Sequence, residues 1–248
     1  MRLAAAATLI FVLSLSTAFA QSNNEAKKLY NEGNKLLKSG DFAGAIAQYD
    51  AALKLENHEF FWYQKGLALR NTKKEADAVE AFKKSVETNP KFAPGYNALA
   101  GGYFALKNYD KAIENYEKAL AEKPTLGQAK VGLGAAQTAK AAAMVNSGDS
   151  KNAIALAQSA IGHDPKSMQA HIVLAQAFNK ESKYGEAIKA GEAALKVSKG
   201  PGKGAAWFEI GLAYRNQGNM GEAKKAFLEA KKDPQYARNA EYEIKQMK

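Results

Sequence analysis

Histidine occurs at only three places, His58, His163 and His171, and these are the side chains most capable of acid–base or metal chemistry. A zinc site built on a helix pairs one histidine with a ligand one turn away, and none of the three has such a residue at i+4. His58 and His163 fall at the ends of apolar stretches, where polar loop residues are routine, and His171 falls inside one. Cysteine is absent, which excludes disulfides, thiolate catalysis, cysteine-based zinc sites and a lipid-modified cysteine. Gly200 to Gly204 contains Lys203 but has neither the spacing nor the preceding strand of a phosphate-cradling loop. Gly132-Leu133-Gly134 is a fragment of a dinucleotide motif, again with no strand ahead of it. Neither H-E-x-x-H nor G-x-S-x-G occurs. Carboxylates such as Glu75 and Asp77 are scattered over polar helix faces, where solvation is their ordinary role. The sequence therefore predicts a protein that is not an enzyme, with no catalytic residue, no metal site and no cofactor.

Function must then reside in surfaces, and the first question is where those surfaces work. Met1-Arg2 gives a short positive start, Leu3 to Leu15 is apolar, and Ala18-Phe19-Ala20 matches an A-x-A cleavage site before the polar stretch that begins at Gln21. This reads as a signal peptide over residues 1–20. The run from Leu3 to Ala20 is 18 residues, short of the roughly 20 needed to span a bilayer. The expected product is exported, periplasmic or secreted, and not membrane-spanning. The alternative is an uncleaved N-terminal helix that anchors a membrane-bound assembly factor. The chain of 248 residues carries 35 Lys+Arg against 25 Asp+Glu, a formal +10 that becomes +9 once Arg2 leaves with the leader. That charge suits acidic proteins or an anionic envelope polymer. The lysines are spread along the chain rather than massed, as on a solvated surface. Export and the positions of the aromatic residues argue against a nucleic-acid partner.

The elements that must position any binding surface show in the self-similarity of the chain. Gly66, Ala78, Phe82 and Pro90 recur 34 residues later as Ala100, Ala112, Tyr116 and Pro124. Extending the frame gives repeats beginning near Ala26, Glu59, Ala93, Gly134, Met168 and Gly204. Position 8 is small at Gly33, Gly66, Ala100, Ala175 and Gly211. Position 20 is alanine throughout, at Ala45, Ala78, Ala112, Ala153, Ala187 and Ala223. Position 24 is Tyr49, Phe82, Tyr116 and Phe227, but Ala157 and Gly191 in the fourth and fifth repeats. Position 27 is Ala52, Ser85, Ala119, Ala160, Ala194 and Ala230. Two antiparallel helices need small residues where their backbones approach, and the aromatic residue of position 24 is expected to fill space against the following repeat. Leu29, Trp62, Tyr96 and Trp207 open the first helices. Turns are expected at Ser39-Gly40-Asp41, Lys107-Asn108, Ser147-Gly148-Asp149 and Gln217-Gly218-Asn219, where glycine ends one helix and Asp or Asn caps the next. Prolines Pro90, Pro124 and Pro165 close repeats.

This pattern resembles the tetratricopeptide-repeat family, over about Asn24 to Pro234. The resemblance implies an all-α fold, a right-handed α-solenoid of about six helix–turn–helix repeats near residues 26–57, 59–90, 93–124, 127–165, 168–199 and 204–235, with a capping helix at 236–247. Two departures stand out. Pro124 and Pro165 are 41 residues apart, seven beyond the period or about two helical turns, so one long first helix is expected from Gly127 to Val145. The Gly-rich segment 199–204 stretches the fifth-to-sixth spacing to 36.

In the family the first helices line a concave groove, with positions 5, 9 and 12 facing the ligand. Carried over, these are Tyr30, Asn34 and Leu37; Tyr63, Leu67 and Arg70; Asn97, Gly101 and Phe104; Ile172, Gln176 and Asn179; and Phe208, Leu212 and Arg215. Amides that pair with a peptide backbone, beside aromatic and arginine anchors, suit a protein or peptide partner. Some members clamp a C-terminal carboxylate. Of the places that build that clamp, Asn34 fills one, while the others hold Tyr30, Gln64, Pro94 and Ala98, so it is not expected here. The function implied is a non-catalytic protein-interaction scaffold or adaptor.

Overall fold

The computed structural model describes residues 23–198, 200 and 202–247; the leader expected at residues 1–20 lies outside them. Among the described residues the chain is entirely helical, without a strand. It divides after Thr125 into two compact bodies. The first holds three helical hairpins. They are α1 (residues 23–39) with α2 (Phe42–Leu55), α3 (Glu59–Asn71) with α4 (Glu75–Thr88), and α5 (Ala93–Ala105) with α6 (Tyr109–Glu122). The second holds α7 (Gly127–Ser147) with α8 (Ser150–His163), α9 (Met168–Lys180) with α10 (Tyr184–Val197), and α11 (Gly204–Asn216) with α12 (Met220–Ala230), followed by α13 (Ala237–Gln246). Within each body a first helix packs on the second helix of the hairpin before it, as α3 does on α2 and α9 on α8.

All six hairpins turn in the same way. An N–H two or three residues beyond the helix end reaches back to a carbonyl five residues earlier: Asp41 to Leu36, Lys74 to Leu69, Asn108 to Tyr103, Asp149 to Met144, Lys183 to Phe178 and Asn219 to Tyr214, at 2.9 to 3.1 Å. This bond requires a left-handed residue at the corner. Gly40, Gly148 and Gly218 supply it freely, whereas Lys73, Lys107 and Ser182 adopt positive φ of 56–60° without being glycine. Asp41, Asn108 and Asn219 then accept the N–H three residues on and cap the second helix. Asp149 makes no such cap bond.

The repeated small residues form the spine. Every position-20 alanine is fully buried, and so is every position-27 residue. Ser85 is tolerated at position 27 because its hydroxyl donates to the Glu59 carbonyl at 2.8 Å. The aromatic rings of position 24 do more than the repeat pattern predicts. Tyr49 and Phe82 join clusters with the following repeat, beside Ala68 and Leu99, but three of the rings also lie directly over the position-8 glycine of their own hairpin. A Cβ on Gly33, Gly66 or Gly211 would fall 2.6, 2.5 and 2.6 Å from ring carbons of Tyr49, Phe82 and Phe227. The glycines exist to receive those rings. In the fourth and fifth repeats, where position 24 is Ala157 and Gly191, position 8 is alanine, at Ala141 and Ala175. The Gly191 gap is filled by Ile210 of the next hairpin, 2.5 Å from where its Cβ would be.

Gly66→Ala is expected to cost about 1–3 kcal/mol, because a fully buried Phe82 ring must move to admit one methyl group. Gly162→Ala, on α8 with nothing within 4 Å of the added carbon, is expected to be neutral or to stabilise by up to about 1 kcal/mol. Urea unfolding of the two variants beside the parent protein checks the contrast; equal shifts would show that the ring contact does not decide the glycine.

Candidate interaction surface

In the first body the position 5, 9 and 12 residues line one face of α1, α3 and α5. Tyr30 is half-buried and stacks on Phe61, ring centroids 4.9 Å apart. Asn34 accepts a 2.8 Å hydrogen bond from the Tyr49 hydroxyl, so its side-chain oxygen is already engaged with the core. Leu37 packs half-buried beside Tyr49 and Ala68, and Leu67 packs against the cluster around Phe82. Tyr63 meets Phe92 edge-on at 5.4 Å. Burial pushes its hydroxyl above the usual phenol range, partly opposed by the Arg70 charge. Arg70 is exposed, with its guanidinium 6.0 Å from the centre of the Phe82 ring, a cation–π distance. Among the described residues no carboxylate pairs with it. Asn97 is half-buried and its side-chain amide makes no hydrogen bond among them. Phe104 is exposed beside Tyr109. Tyr116, a second-helix residue, also reaches this face: its hydroxyl lies 3.8 Å from the point where a Cβ would stand on Gly101. Burial raises its pKa too, again opposed by Arg70.

The corresponding residues of the second body are mostly engaged within the protein. Ile172 is buried in a cluster with Ala194 and Ala206. Asn179 donates through its side-chain amide to the Glu209 backbone carbonyl at 3.0 Å and to the Glu209 carboxylate at 2.9 Å. Gln176 also acts on that carboxylate, favouring its ionised form. Phe208 lies against Phe227 and Tyr236, at 5.5 and 5.7 Å, and Leu212 shares their cluster with Ile244 and Met247. Arg215 pairs with Glu243 of α13. α13 lies over the ones on α11, and an internal carboxylate occupies Asn179 on α9.

Glu209 and Glu243 were not singled out in the sequence, although a signal existed. They stand 34 residues apart, both at position 6, and Glu209 interrupts the apolar run Trp207-Phe208-Glu209-Ile210. Burial raises the Glu209 carboxyl, while hydrogen bonds from Asn179 and Gln176 and the Lys180 charge act the other way. The Asn179 side-chain oxygen is buried without a hydrogen-bond donor.

Two of the histidines make local structural contacts. His58 caps α3 by accepting the Phe60 N–H at 3.2 Å, and one ring nitrogen of His171 lies 3.1 Å from the Pro165 carbonyl oxygen. No three His, Cys, Asp or Glu side chains come together as a metal site requires among the described residues.

Repeated antiparallel hairpins with an accessible first-helix face define a helical-repeat protein. Family models described as Tetratricopeptide repeat match residues 30–95, 138–203 and 182–237, and, for a second model, 93–126. The chain belongs to the tetratricopeptide-repeat family. No curated protein matches it by sequence. Among solved structures, MamA is similar at 24% identity and a TM-score of 0.57, covering 70% of this chain and 91% of its own. YrrB, described as a TPR protein with an unusual peptide-binding site, is similar at 19% identity and a TM-score of 0.57, covering 78% and 97%. MamA of Desulfovibrio magneticus RS-1 is similar at 14% identity and 0.54, covering 69% and 92%. At these identities the likeness is one of fold.

Because burial raises the Glu209 pKa, its ionised form opposes folding. Its effect is absent in acid and grows as pH rises from the ordinary carboxylate value of 4.5 through the raised one. Glu209→Gln is expected to exceed the parent in stability at neutral pH by about 1 kcal/mol, the worth of one buried hydrogen bond. The gap should close in acid. Thermal unfolding of both proteins across that range checks it; a pH-independent gap would assign the effect to something other than the charge.

Proposed function

We propose that the chain is a non-catalytic scaffold or adaptor, exported to the cell envelope or secreted, that holds a peptide segment or protein surface along the first-helix face of α1, α3 and α5. The observation that carries this reading is the contrast between the two first-helix faces. Those of α9 and α11 are spent on Glu209 and α13, whereas Arg70 and Phe104 are exposed and the Asn97 amide has no bond of its own among the described residues. A guanidinium, an amide and an aromatic ring in one row provide a charged anchor, a backbone partner and an apolar contact, the combination through which extended peptides are held. Membership of the tetratricopeptide-repeat family supports a protein partner, and so does the fold neighbour described as having a peptide-binding site. Export rests on the leader pattern of residues 1–20. Among the described residues no helix is long and apolar enough to cross a membrane.

Capture from native envelope and culture fractions tests the surface. Residues 21–248 are used as bait beside an Asn97→Ala/Phe104→Ala variant, whose substitutions leave the buried rings untouched. A protein retained by the parent and lost by the variant, with unchanged circular dichroism, is the expected result; capture that survives would move the binding face elsewhere. Mass spectrometry of the protein from its native source should find Gln21 at the N-terminus, and an intact Met1 would favour the anchored alternative.

A further inference from the structure

Within the second body, position 12 of one first helix meets position 6 of the next helix. Where position 12 is polar in the second body, a position-6 carboxylate meets it. Asn179 donates to Glu209, and Arg215 pairs with Glu243. At the α3–α5 junction position 12 is Arg70, and the position-6 residue is Ala98. The cation is in place, and among the described residues none supplies the carboxylate that meets such a group at the other two junctions.

The surface around Arg70 is shaped to admit one. Position 9 of α5 is Gly101, and the space its missing side chain leaves is flanked by two donors. Arg70 Nη1 and the Tyr116 hydroxyl lie 4.0 and 3.8 Å from the point where a Cβ would stand. A carboxylate lodged above Gly101 would accept from both, one bond being charge-assisted. The Phe82 ring beneath the guanidinium holds it against that notch. A chain of formal charge +10 draws acidic segments toward it.

We propose that Arg70, with Tyr116 over Gly101, is a carboxylate-binding subsite, and that the partner of this face is an acidic extended peptide whose glutamate or aspartate side chain takes the place that Glu209 and Glu243 fill at the other junctions. This rests on the reading that the α1–α3–α5 face binds peptide, and it names the chemistry of that peptide. A C-terminal carboxylate offers the same group, and experiment separates the two sources.

The test is titration of the full chain with three short peptides, followed by NMR at the arginine side chains and by fluorescence anisotropy. One peptide has amidated ends and a central glutamate, the second carries glutamine in its place, and the third is neutral but ends in a free carboxylate. The glutamate peptide is expected to shift the Arg70 side-chain resonance and to bind about tenfold more tightly than the glutamine peptide, with the preference shrinking as salt is added. Arg70→Gln should equalise the two. Gly101→Ala, which fills the notch at ordinary contact distances and removes no donor, should weaken the glutamate peptide alone. Preference for the free-carboxylate peptide would keep the subsite and assign it to a chain end. Equal binding of the glutamate and glutamine peptides that Asn97→Ala/Phe104→Ala removes would overturn the carboxylate subsite and leave the peptide-binding face standing. A glutamate preference that survives Arg70→Gln would overturn it as well, and no response to any peptide would overturn both readings.

Discussion

The close approach of an aromatic ring to a bare helical backbone sets the geometry of this protein. In three hairpins a position-24 ring lies where a position-8 side chain would otherwise be, with 2.5 to 2.6 Å to a hypothetical Cβ. Ring and glycine are therefore one unit of packing. The pairing explains why alanine appears at position 8 where position 24 is Ala157 or Gly191: without the ring there is no need for the gap. The third repeat breaks the rule, combining Ala100 with Tyr116. Of the four rings, Tyr49, Phe82 and Phe227 are fully buried, and Tyr116 is the one that keeps some exposure, at 8%. An alanine methyl denies its ring the bed that glycine gives the others, and its hydroxyl emerges beside Gly101 on the first-helix face. A compromise in the core thus delivers a polar group to the surface.

The junction between consecutive first helices shows how one register position serves different ends. Positions 12 and 6 are Val145 and Val173 at the α7–α9 junction, two members of one buried cluster. They are Asn179 and Glu209 at the next, a hydrogen-bonded pair in a site so enclosed that burial raises the carboxyl's pKa. At the last they are Arg215 and Glu243, a half-exposed ion pair that ties α13 to α11. The backbone relation is constant; the side chains decide whether it is core, glue or free surface. That is why a face of equivalent positions is closed by internal carboxylates in one body while Arg70 lies open in the other.

Much of this was legible in the sequence and some was not, for physical reasons. Positions 20 and 27 announce themselves because only small residues fit where helix backbones touch, and all are buried as that requires. The turns at Ser39-Gly40-Asp41 and Gln217-Gly218-Asn219 show through their glycine and cap. Those at Lys73-Lys74 and Ser182-Lys183 do not, because a backbone hydrogen bond shapes them whatever the side chain. The register also named the first-helix surface residues. It could not foresee that the Asn34 side-chain oxygen is engaged by the Tyr49 hydroxyl, or that α13 covers Phe208 and Leu212, since both depend on residues distant in sequence. Tyr116 is legible as a position-24 ring but not as a surface group, because it sits on a second helix and only the packing of its ring carries the hydroxyl to the first-helix face.

Charge follows the same division between common and particular. Some lysines are paired with a carboxylate three or four residues away on their own helix, as Lys35 is with Glu32, Lys118 with Glu114 and Lys225 with Glu222. Such exposed pairs contribute little to stability and are screened by salt. They also neutralise one another locally, so the excess of positive charge acts as a diffuse field rather than as a binding patch. A directed contact needs a cation whose orientation is fixed by something other than a neighbouring carboxylate. Arg70 meets that condition, because the Phe82 ring positions it without discharging it, and Phe82 is itself fixed by the glycine it covers. The packing rule that builds the hairpin therefore also orients the charge at its surface, and a residue as remote from any ligand as Gly66 has a part in how that surface is presented.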